Sequence, residues 1–301
     1  MRRLLLACLI ATLGVSGLAH ANANNYPRKP VKIVVSFPPG TGSDSSARFL
    51  AQKLEARFGQ PFGVENRPGA NSFIAAQTVA KADPDGYTLF VASNSPMATN
   101  VVQFKTLPYD PVRDFAPVAR LYYGAMILSV RADSPYKTVA DLVAAAKAKP
   151  GKLSYGSGSA SYQIATELFM KQAGITAVAI PYKGAAPAVA DLAGGQVDFA
   201  MSDYLAASAL SQAGKTRIIA VGGDKRLPLE PNVPTLQELG YKDYYMVSWV
   251  ALFAPAKTPP AIVKKLSDAT VEIISSKEAA EFVGRTNGQI FAGGSEVLRK
   301  Y

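Results

Sequence analysis

Two short glycine–serine segments, Gly40–Ser43 and Gly156–Ser159, contain residue types that could hold an anion. Each follows a strand-like run and precedes a helical pattern, so each is predicted to be a loop at the carboxyl end of a strand. Free N–H groups and the dipole of the following helix favour negative charge there. Either loop alone is a weak match to a phosphate-binding loop, for which an ordinary turn is the commoner explanation. As a pair, they predict a site that holds one small anion from two sides.

The side chains near these loops narrow the chemistry. Lysine and arginine are absent from 37–46 and from 156–163, so a bound carboxylate would depend on backbone amides, hydroxyl groups and water. Ser43 is predicted to cap the first helix. Asp44 could tie down the loop amides, which we favour, or could contact a ligand amine or hydroxyl. The same two interpretations stay open for Asp203.

The elements that position these loops predict an α/β protein with two mainly parallel-sheet domains. Val31–Val35 is an apolar, β-branched run typical of a strand buried in a parallel sheet. Strand–helix alternation then recurs in the second half of the chain. Two longer runs, Leu121–Val130 and Tyr244–Phe253, are predicted to be strands that cross between the domains. The predicted domains are 24–122 with 246–301, and 123–245.

The N-terminus has the features of a signal peptide over residues 1–23. Basic residues open it, an apolar run follows, and Ala19-His20-Ala21 offers a small-residue cleavage site. Cleavage would remove Cys8 and His20, the only cysteine and histidine in the 301 residues. The exported protein would then lack disulfides, a thiolate nucleophile, a histidine general base and a Cys/His zinc site.

The remaining composition favours a binding protein over an enzyme. The formal net charge is +10, but the basic residues are spread singly, so nucleic-acid binding is not expected. The sequence contains no G-x-S-x-G motif, and a serine nucleophile would lack its histidine. We therefore expect no catalysis, no metal and no cofactor.

Ordered motifs along the chain resemble the Bug-type solute receptors of tripartite tricarboxylate transporters. The resemblance runs from Tyr26 to the end and depends on many motifs rather than on one loop. The motifs are YPRKP at 26–30, FPPGTGSD at 37–44, ENRPGA at 65–70, PDGYTL at 84–89, LPYD at 107–110, KPGKL at 149–153, PYKG at 181–184, GGQVD at 194–198 and VPT at 233–235.

This resemblance implies a two-lobed periplasmic binding protein of the type II-like class. Such a receptor closes on a carboxylate-bearing solute and hands it to integral membrane permease subunits, and we expect it to be a monomer in the periplasm. The family's pocket loops correspond to Phe37–Asp44, Ser157–Gln163 and Tyr182–Pro187, with Asp203 nearby. The candidate ligand-binding residues are Phe37, Gly40, Thr41, Gly42, Ser43, Asp44, Ser93, Ser157, Ser161, Tyr162, Gly184, Ala185 and Asp203.

The sequence also departs from the family pattern. Ala160 stands where glycine is usual, and Gln163 and Ala179 stand where histidine is common, so the identity of the solute stays open. The family usually continues with more helix beyond Tyr301, so whether that residue is the natural C-terminus also stays open. An exported ligand sensor of the same fold is the first alternative, and an exported hydrolase is a less favoured one.

Overall fold

The computed structural model describes residues 25–301, which form two lobes of α/β structure. In this part of the chain, no helix combines the length and the apolar character that a membrane span requires. Short helical turns at 70–72 and 95–99 precede α2 and α3. In chain order the elements are β1 (Val31–Val35), α1 (Gly42–Phe58), β2 (Phe62–Asn66), α2 (Phe73–Ala80), β3 (Thr88–Ser93), α3 (Asn100–Gln103), β4 (Phe115–Arg131), α4 (Val139–Ala148), β5 (Ser154–Ser157), α5 (Ala160–Ala173), β6 (Val178–Pro181), α6 (Ala185–Ala193), β7 (Phe199–Asp203), α7 (Tyr204–Gln212), β8 (Thr216–Val221), β9 (Val247–Pro255), α8 (Pro260–Ile274), α9 (Lys277–Arg285), β10 (Gly288–Gly294) and α10 (Ser295–Lys300).

One long strand, β4, belongs to the sheets of both lobes. It pairs antiparallel with β9 as far as Ala125, and antiparallel with β7 from Met126 onward. The sheet of lobe 1 has the order β2–β1–β3–β9–β4–β10, and that of lobe 2 has the order β6–β5–β7–β4–β8. The strands on the far side of each sheet pair in parallel, whereas every pair that involves β4 is antiparallel.

The chain returns from lobe 2 beside the point where β4 crosses. The N–H of Met126 donates to the carbonyl of Met246 at 3.3 Å, and the N–H of Met246 donates to the carbonyl of Gly222 at 2.8 Å. The predicted strand Tyr244–Phe253 corresponds to β9, which pairs with β3 and β4 of lobe 1. We therefore use lobe 1 for residues 25–125 with 247–301 and lobe 2 for 126–246, while the predicted domain boundaries remain a prediction.

Each lobe has its own apolar core, which holds the strand and the helix on either side of its glycine–serine loop. In lobe 1, Ile33 of β1 and Leu50 of α1 are fully buried in one cluster with Leu266 of α8. In lobe 2, Tyr155 of β5 and Phe169 of α5 share a second cluster. Each such side chain contributes roughly 1.5–3 kcal/mol on burial. Both loops therefore connect elements that are firmly packed.

Two regions differ from the prediction. The polar, proline-containing segment after β3 has the composition of a loop, but it forms a helical turn and then α3. Pro96 fits there because the first turn of a helix needs no N–H from it. Strand β10 was not predicted, since its glycines weaken the strand signal, and its pairing with β4 supplies the missing stability.

Candidate solute-binding cleft

The lobe 1 loop enters α1 through Thr41, which caps the helix. Thr41 has an extended backbone (φ −80°, ψ 163°), and its hydroxyl oxygen accepts the N–H of Asp44 at 3.4 Å. The prediction that Ser43 caps this helix is wrong, because Ser43 lies inside the first turn. A capping residue needs a non-helical backbone. The sequence does not show which of two nearby hydroxyl residues, Thr41 or Ser43, has that backbone.

Asp44 holds the lobe 1 loop together. Its carboxylate accepts the N–H of Gly40 at 3.0 Å, Nδ2 of Asn66 at 2.8 Å and Nε of Arg48 at 3.1 Å. Burial acts to raise its pKa, but the hydrogen bonds from Arg48, Asn66 and Gly40 together hold the pKa of Asp44 below its ordinary value. Because a carboxylate offers about four acceptor sites, this arrangement supports the interpretation that Asp44 ties down the loop.

Neutral hydroxyl groups hold the lobe 2 loop. Ser159 caps α5 from an extended backbone, and its oxygen accepts the N–H of Tyr162 at 3.5 Å. Ser157 donates its hydroxyl to the carbonyl of Ser159 at 3.4 Å, so it supports the loop from within. The hydroxyl oxygen of Ser95, from lobe 1, lies 3.1 Å from the hydroxyl of Ser159, which can donate to it. This loop is therefore braced partly by the opposite lobe.

Further side chains from both lobes meet at the N-terminal half-turn of α5. The hydroxyl of Ser95 donates to Ser161 Oγ at 2.7 Å, and the hydroxyl of Thr99 lies 3.0 Å from the same atom. Nearby, Nε2 of Gln103 donates to Oε1 of Gln163 at 2.7 Å. These contacts join α5 to the helical turn after β3 and to α3. The lobes are therefore in direct contact, and the cleft is closed.

Asp203 is a second point where the lobes meet. Its carboxylate caps α7 by accepting the N–H of Ala206 at 3.1 Å, and it accepts the hydroxyl of Tyr162 at 2.9 Å. The backbone N–H of Gly42, at the first turn of α1 in lobe 1, and its own backbone N–H also favour the charged carboxylate. Burial raises the pKa of the Asp203 carboxyl, and these donors only partly offset the effect. Burial together with the Asp203 charge raises the pKa of Tyr162, so this tyrosine stays protonated.

Two glycines leave room for close contacts around the cleft. A β-carbon at Gly42 would collide with the hydroxyl of Tyr122 and would lie 3.6 Å from Oδ1 of Asp203. Gly184 of lobe 2 has φ +152°, and a β-carbon there would lie 2.5 Å from Pro38 of lobe 1. A side chain at Gly184 would therefore hold the lobes apart, whereas one at Gly42 would first displace Tyr122 within lobe 1.

A small polar cavity lies between the lobes. It brings together many of the predicted site residues: Phe37, Thr41, Ser43, Ser93, Ser161, Tyr162, Ala185 and Asp203. Others lie beside it and shape the loops: Gly40, Gly42, Asp44, Ser157 and Gly184. Ser95 and Ser248 also line the cavity but were not predicted, and Ser159 lines it as part of the predicted loop Gly156–Ser159.

The cavity is polar but holds no cationic side chain among its described lining residues. Asp203 supplies the one carboxylate in that lining, and hydroxyl groups supply most other polar atoms. Within residues 25–301, the N–H groups of Thr41 and Ser43 have no hydrogen-bond partner, and both residues line the cavity. The cavity therefore offers neutral donors at the N-terminus of α1, next to one buried carboxylate.

Comparisons with known proteins agree with this arrangement. Residues 46–301 match the family described as "Tripartite tricarboxylate transporter family receptor". Protein BugT from Bordetella pertussis is 35% identical over 286 residues, which span 93% of this chain and 87% of that protein. The chain thus matches curated relatives over most of their length.

Solved structures with similar sequences have the same fold. The periplasmic binding protein BugD superposes with a TM-score of 0.86 at 29% identity, covering 91% of this chain and 93% of that one. An R. palustris protein solved with adipate gives 0.88 at 34% identity, with coverage of 91% and 93%. MatC from Rhodopseudomonas palustris with bound malate gives 0.86 at 28% identity, with coverage of 91% and 95%.

These findings confirm the two-lobed periplasmic binding protein fold and the resemblance that the sequence motifs indicated. The similar structures are solute-binding proteins rather than enzymes. The family match begins at residue 46, inside α1, so it covers the strand–loop–helix unit of lobe 2 but not β1 or the lobe 1 loop. The chain belongs to the receptor family of the tripartite tricarboxylate transporters, whose members are periplasmic solute-binding proteins.

Proposed function

We propose that this receptor captures a small carboxylate-bearing solute in the interlobe cavity and delivers it to an integral membrane permease of the tripartite tricarboxylate type. The observation that carries the proposal is the meeting of α1 and α5 N-termini at one cavity. There the N–H groups of Thr41 and Ser43 are unpaired among the described residues. Helix N-termini with free amides favour anions.

The donors available in the cavity are sufficient for useful affinity. A hydrogen bond to a charged group contributes about 1.5–3 kcal/mol net. Four such bonds give about 6–12 kcal/mol, a range that includes the roughly 8 kcal/mol of micromolar binding. The hydroxyls of Ser95 and Ser161 can rotate from each other to a carboxylate oxygen, because a hydroxyl both donates and accepts.

The relatives support the same ligand chemistry and partner. Two similar structures were solved with adipate and with malate, both dicarboxylates. The family description supports a tripartite permease as the acceptor of the solute. Export would follow cleavage within residues 1–23, which lie outside the described residues, and mass spectrometry of periplasmic protein should find a mature start near Asn22 or Asn24.

A thermal-shift screen tests the ligand class. The screen uses mono-, di- and tricarboxylates, amino acids and aromatic acids, followed by titration calorimetry on each hit. At a hundredfold excess over Kd, a ligand that binds only the folded state stabilises it by about 2.7 kcal/mol. The proposal fails if no carboxylate shifts the melting temperature while a solute without a carboxylate does.

Uptake measurements test the delivery step. Cells that lack the receptor should lose uptake of the identified carboxylate, and uptake should return when the receptor and the permease are supplied together. Receptor without permease should bind the solute but not restore uptake. Full uptake without the receptor would instead favour a sensing role for the same cleft.

A further inference from the structure

The helical segment 95–103 has its polar and apolar faces reversed relative to an ordinary surface helix. It comprises the helical turn after β3 and α3, and it lies where lobe 1 meets α5 of lobe 2. A surface helix normally packs an apolar stripe against the protein and exposes its polar side. Here polar side chains are packed against the protein, and an apolar face is left in solvent.

Polar side chains attach this segment to both lobes. Toward lobe 2, Ser95, Thr99 and Gln103 recur every four residues, so they share one helix face. All three form hydrogen bonds with residues of α5. Toward lobe 1, Asn100 is fully buried and donates from Nδ2 to the hydroxyl of Tyr109 at 3.0 Å. Two faces of the segment therefore hold it in place, and a third is left largely free.

The third face is apolar and exposed. It carries Ala98, Val101 and Val102, which are three and four residues apart and are therefore neighbours on the helix surface. The exposed fraction is 55% for Val101 and 82% for Val102. Covering such side chains with a partner removes apolar surface from water, which favours association. We call these three residues the valine face.

Lys183 of lobe 2 lies on the other side of the seam between the lobes. A β-carbon at Gly69 of lobe 1 would be 3.9 Å from Cγ of this lysine. In the same loop, the carbonyl of Asn71 accepts Nδ2 of Asn100 at 2.8 Å. This loop of lobe 1 therefore lies between the helical segment and Lys183, so the surface around the valine face is built from both lobes.

The charge on this surface is positive and unbalanced. Lys105, just after the helical segment, and Lys183 are both exposed, and neither forms an ion pair within the described residues. No aspartate or glutamate occurs in 86–109 or in 168–190. A complementary partner would therefore present apolar side chains with carboxylates beside them.

We propose that the valine face is the surface by which the closed receptor docks on the integral membrane permease, whose exposed segment supplies apolar side chains and carboxylates. This inference rests on the proposed function, since it names where the permease of that function binds. The contacts of the helical segment with α5 exist only when the lobes meet. Because a partner shifts an equilibrium only through a difference in affinity between its states, the permease should bind the closed receptor more tightly than the open one.

A disulfide lock tests the dependence on closure without a known solute. The Oγ atoms of Ser95 and Ser161 lie 2.7 Å apart. Cysteines at these two positions can therefore reach the S–S distance of about 2.05 Å. Thr99→Cys with Ser161→Cys is a second lock, since those side-chain oxygens lie 3.0 Å apart. Oxidised and reduced receptor are titrated against the permease of the uptake experiment in lipid nanodiscs.

We expect the oxidised, closed receptor to bind the permease at least about tenfold more tightly than the reduced one. Equal binding of the two forms would overturn the dependence on closure. If neither form binds the permease, the docking surface and the delivery step of the proposed function both fail.

The variant Val102→Asp, made in the locked receptor, tests the valine face itself. The Val102 side chain is mostly exposed, so the fold should be unaffected, whereas a carboxylate there would repel those of the partner. We expect binding to the permease to weaken at least about tenfold. Val178→Asp is the matched control, because Val178 is an exposed valine of the edge strand β6 of lobe 2. If Val102→Asp binds as tightly as this control, the docking surface is overturned while delivery stands.

Charge reversal tests the carboxylates expected of the partner. Lys105→Glu should weaken binding of the locked receptor by at least about threefold and should reduce its decrease with salt. Lys257→Glu is the matched control, since Lys257 is exposed and lies beyond the end of β9. Equal effects of the two variants would show that only net charge matters and would overturn this part of the proposal.

Two controls distinguish the permease from other occupants of the valine face. Nanodiscs that contain phosphatidylglycerol but no permease test for a lipid surface, and sedimentation velocity tests for a second copy of the chain. Binding to the empty nanodiscs that matches binding to the permease would overturn the proposal. A receptor dimer that Val102→Asp dissociates would overturn it too.

Discussion

The two loop–helix junctions of the cleft share a sequence design but are held by different forces. The lobe 1 loop is braced within its own lobe by the carboxylate of Asp44, which binds Arg48 and Asn66. The lobe 2 loop is braced by neutral hydroxyls, and one of its supports, Ser95, comes from the opposite lobe. The first loop is therefore complete before the lobes meet, whereas the second is completed by closure. This difference predicts a preformed anion site in lobe 1 and an adaptable one in lobe 2.

The largest expected effect comes from a side chain at the first junction. In Gly42→Val the side chain would collide with Tyr122 of the same lobe and would displace the N-terminus of α1, which faces Asp203 of lobe 2. Overpacking costs about 1–3 kcal/mol, so we expect a loss of affinity of up to about a hundredfold in calorimetry. The lobes themselves should stay folded by circular dichroism. Gly63→Val is the control, since a β-carbon there meets nothing within 4 Å, and normal binding by Gly42→Val would show that lobe 1 does not contribute its helix N-terminus.

Removing the charged brace should cost more stability than removing its neutral counterpart. We expect Asp44→Ala to lower the free energy of unfolding by about 2 kcal/mol, because hydrogen bonds to a charged group are lost. Ser159→Ala in lobe 2 should cost about 1 kcal/mol through the lost cap. Urea unfolding of both variants measures the contrast, and equal losses would contradict the difference between the junctions.

Acid titration sharpens the same contrast, since the pKa values of the two aspartates shift in opposite directions. The lowered pKa of Asp44 means that its stabilisation is present above the ordinary value of about 3.9 and is lost as the pH falls through the lowered folded-state value. The raised pKa of Asp203 in the closed cleft means that closure favours the protonated carboxyl. Lowering the pH from neutrality towards that raised value should therefore favour closure. Small-angle scattering of ligand-free protein should show a smaller radius of gyration, and Asp203→Asn should remove the change.

The smallest expected effect is that of salt. Because the described lining of the cavity contains no lysine or arginine, we expect the affinity for a carboxylate to change by less than about threefold between about 50 and 500 mM salt. Titrations at both concentrations measure the slope. A steep decrease of the affinity with salt would indicate that a lysine or arginine side chain contacts the carboxylate. The two loops could then no longer be compared as neutral sites.

The sequence predicted the parts of this cleft that depend on local signals. The strand, the glycine-containing loop and the amphipathic helix around Gly40–Ser43 are adjacent in the chain. The sequence pattern of each therefore supports the prediction of the other two. The helix is capped by Thr41 and not by the predicted Ser43, because only the backbone conformation decides which of two neighbouring hydroxyl residues is the cap. Local patterns thus locate the loop but not the roles of the single residues within it.

The residues that sequence reasoning missed depend on closure or on pairing over long distances. Ser95 follows the predicted residue Ser93 in the same polar segment, but only the helical turn brings its hydroxyl to Ser161. Ser248 lies in an otherwise apolar strand, and Asn287 lies in a turn that contacts Leu229 from the other lobe. Nothing in the local composition distinguishes such residues from ordinary surface polar residues.

The position of β9 has a consequence for how the chain folds. This strand lies between β3 and β4 in the sheet of lobe 1, so it pairs residues that are far apart in sequence, such as Phe90 and Phe253. During synthesis, all of lobe 2 is made before the strand that fills this gap. Contacts so distant in sequence slow folding, because the entropy of closing the loop is lost before they form. Lobe 2 should therefore gain protease resistance first, and lobe 1 should gain it only after its last strands have been made.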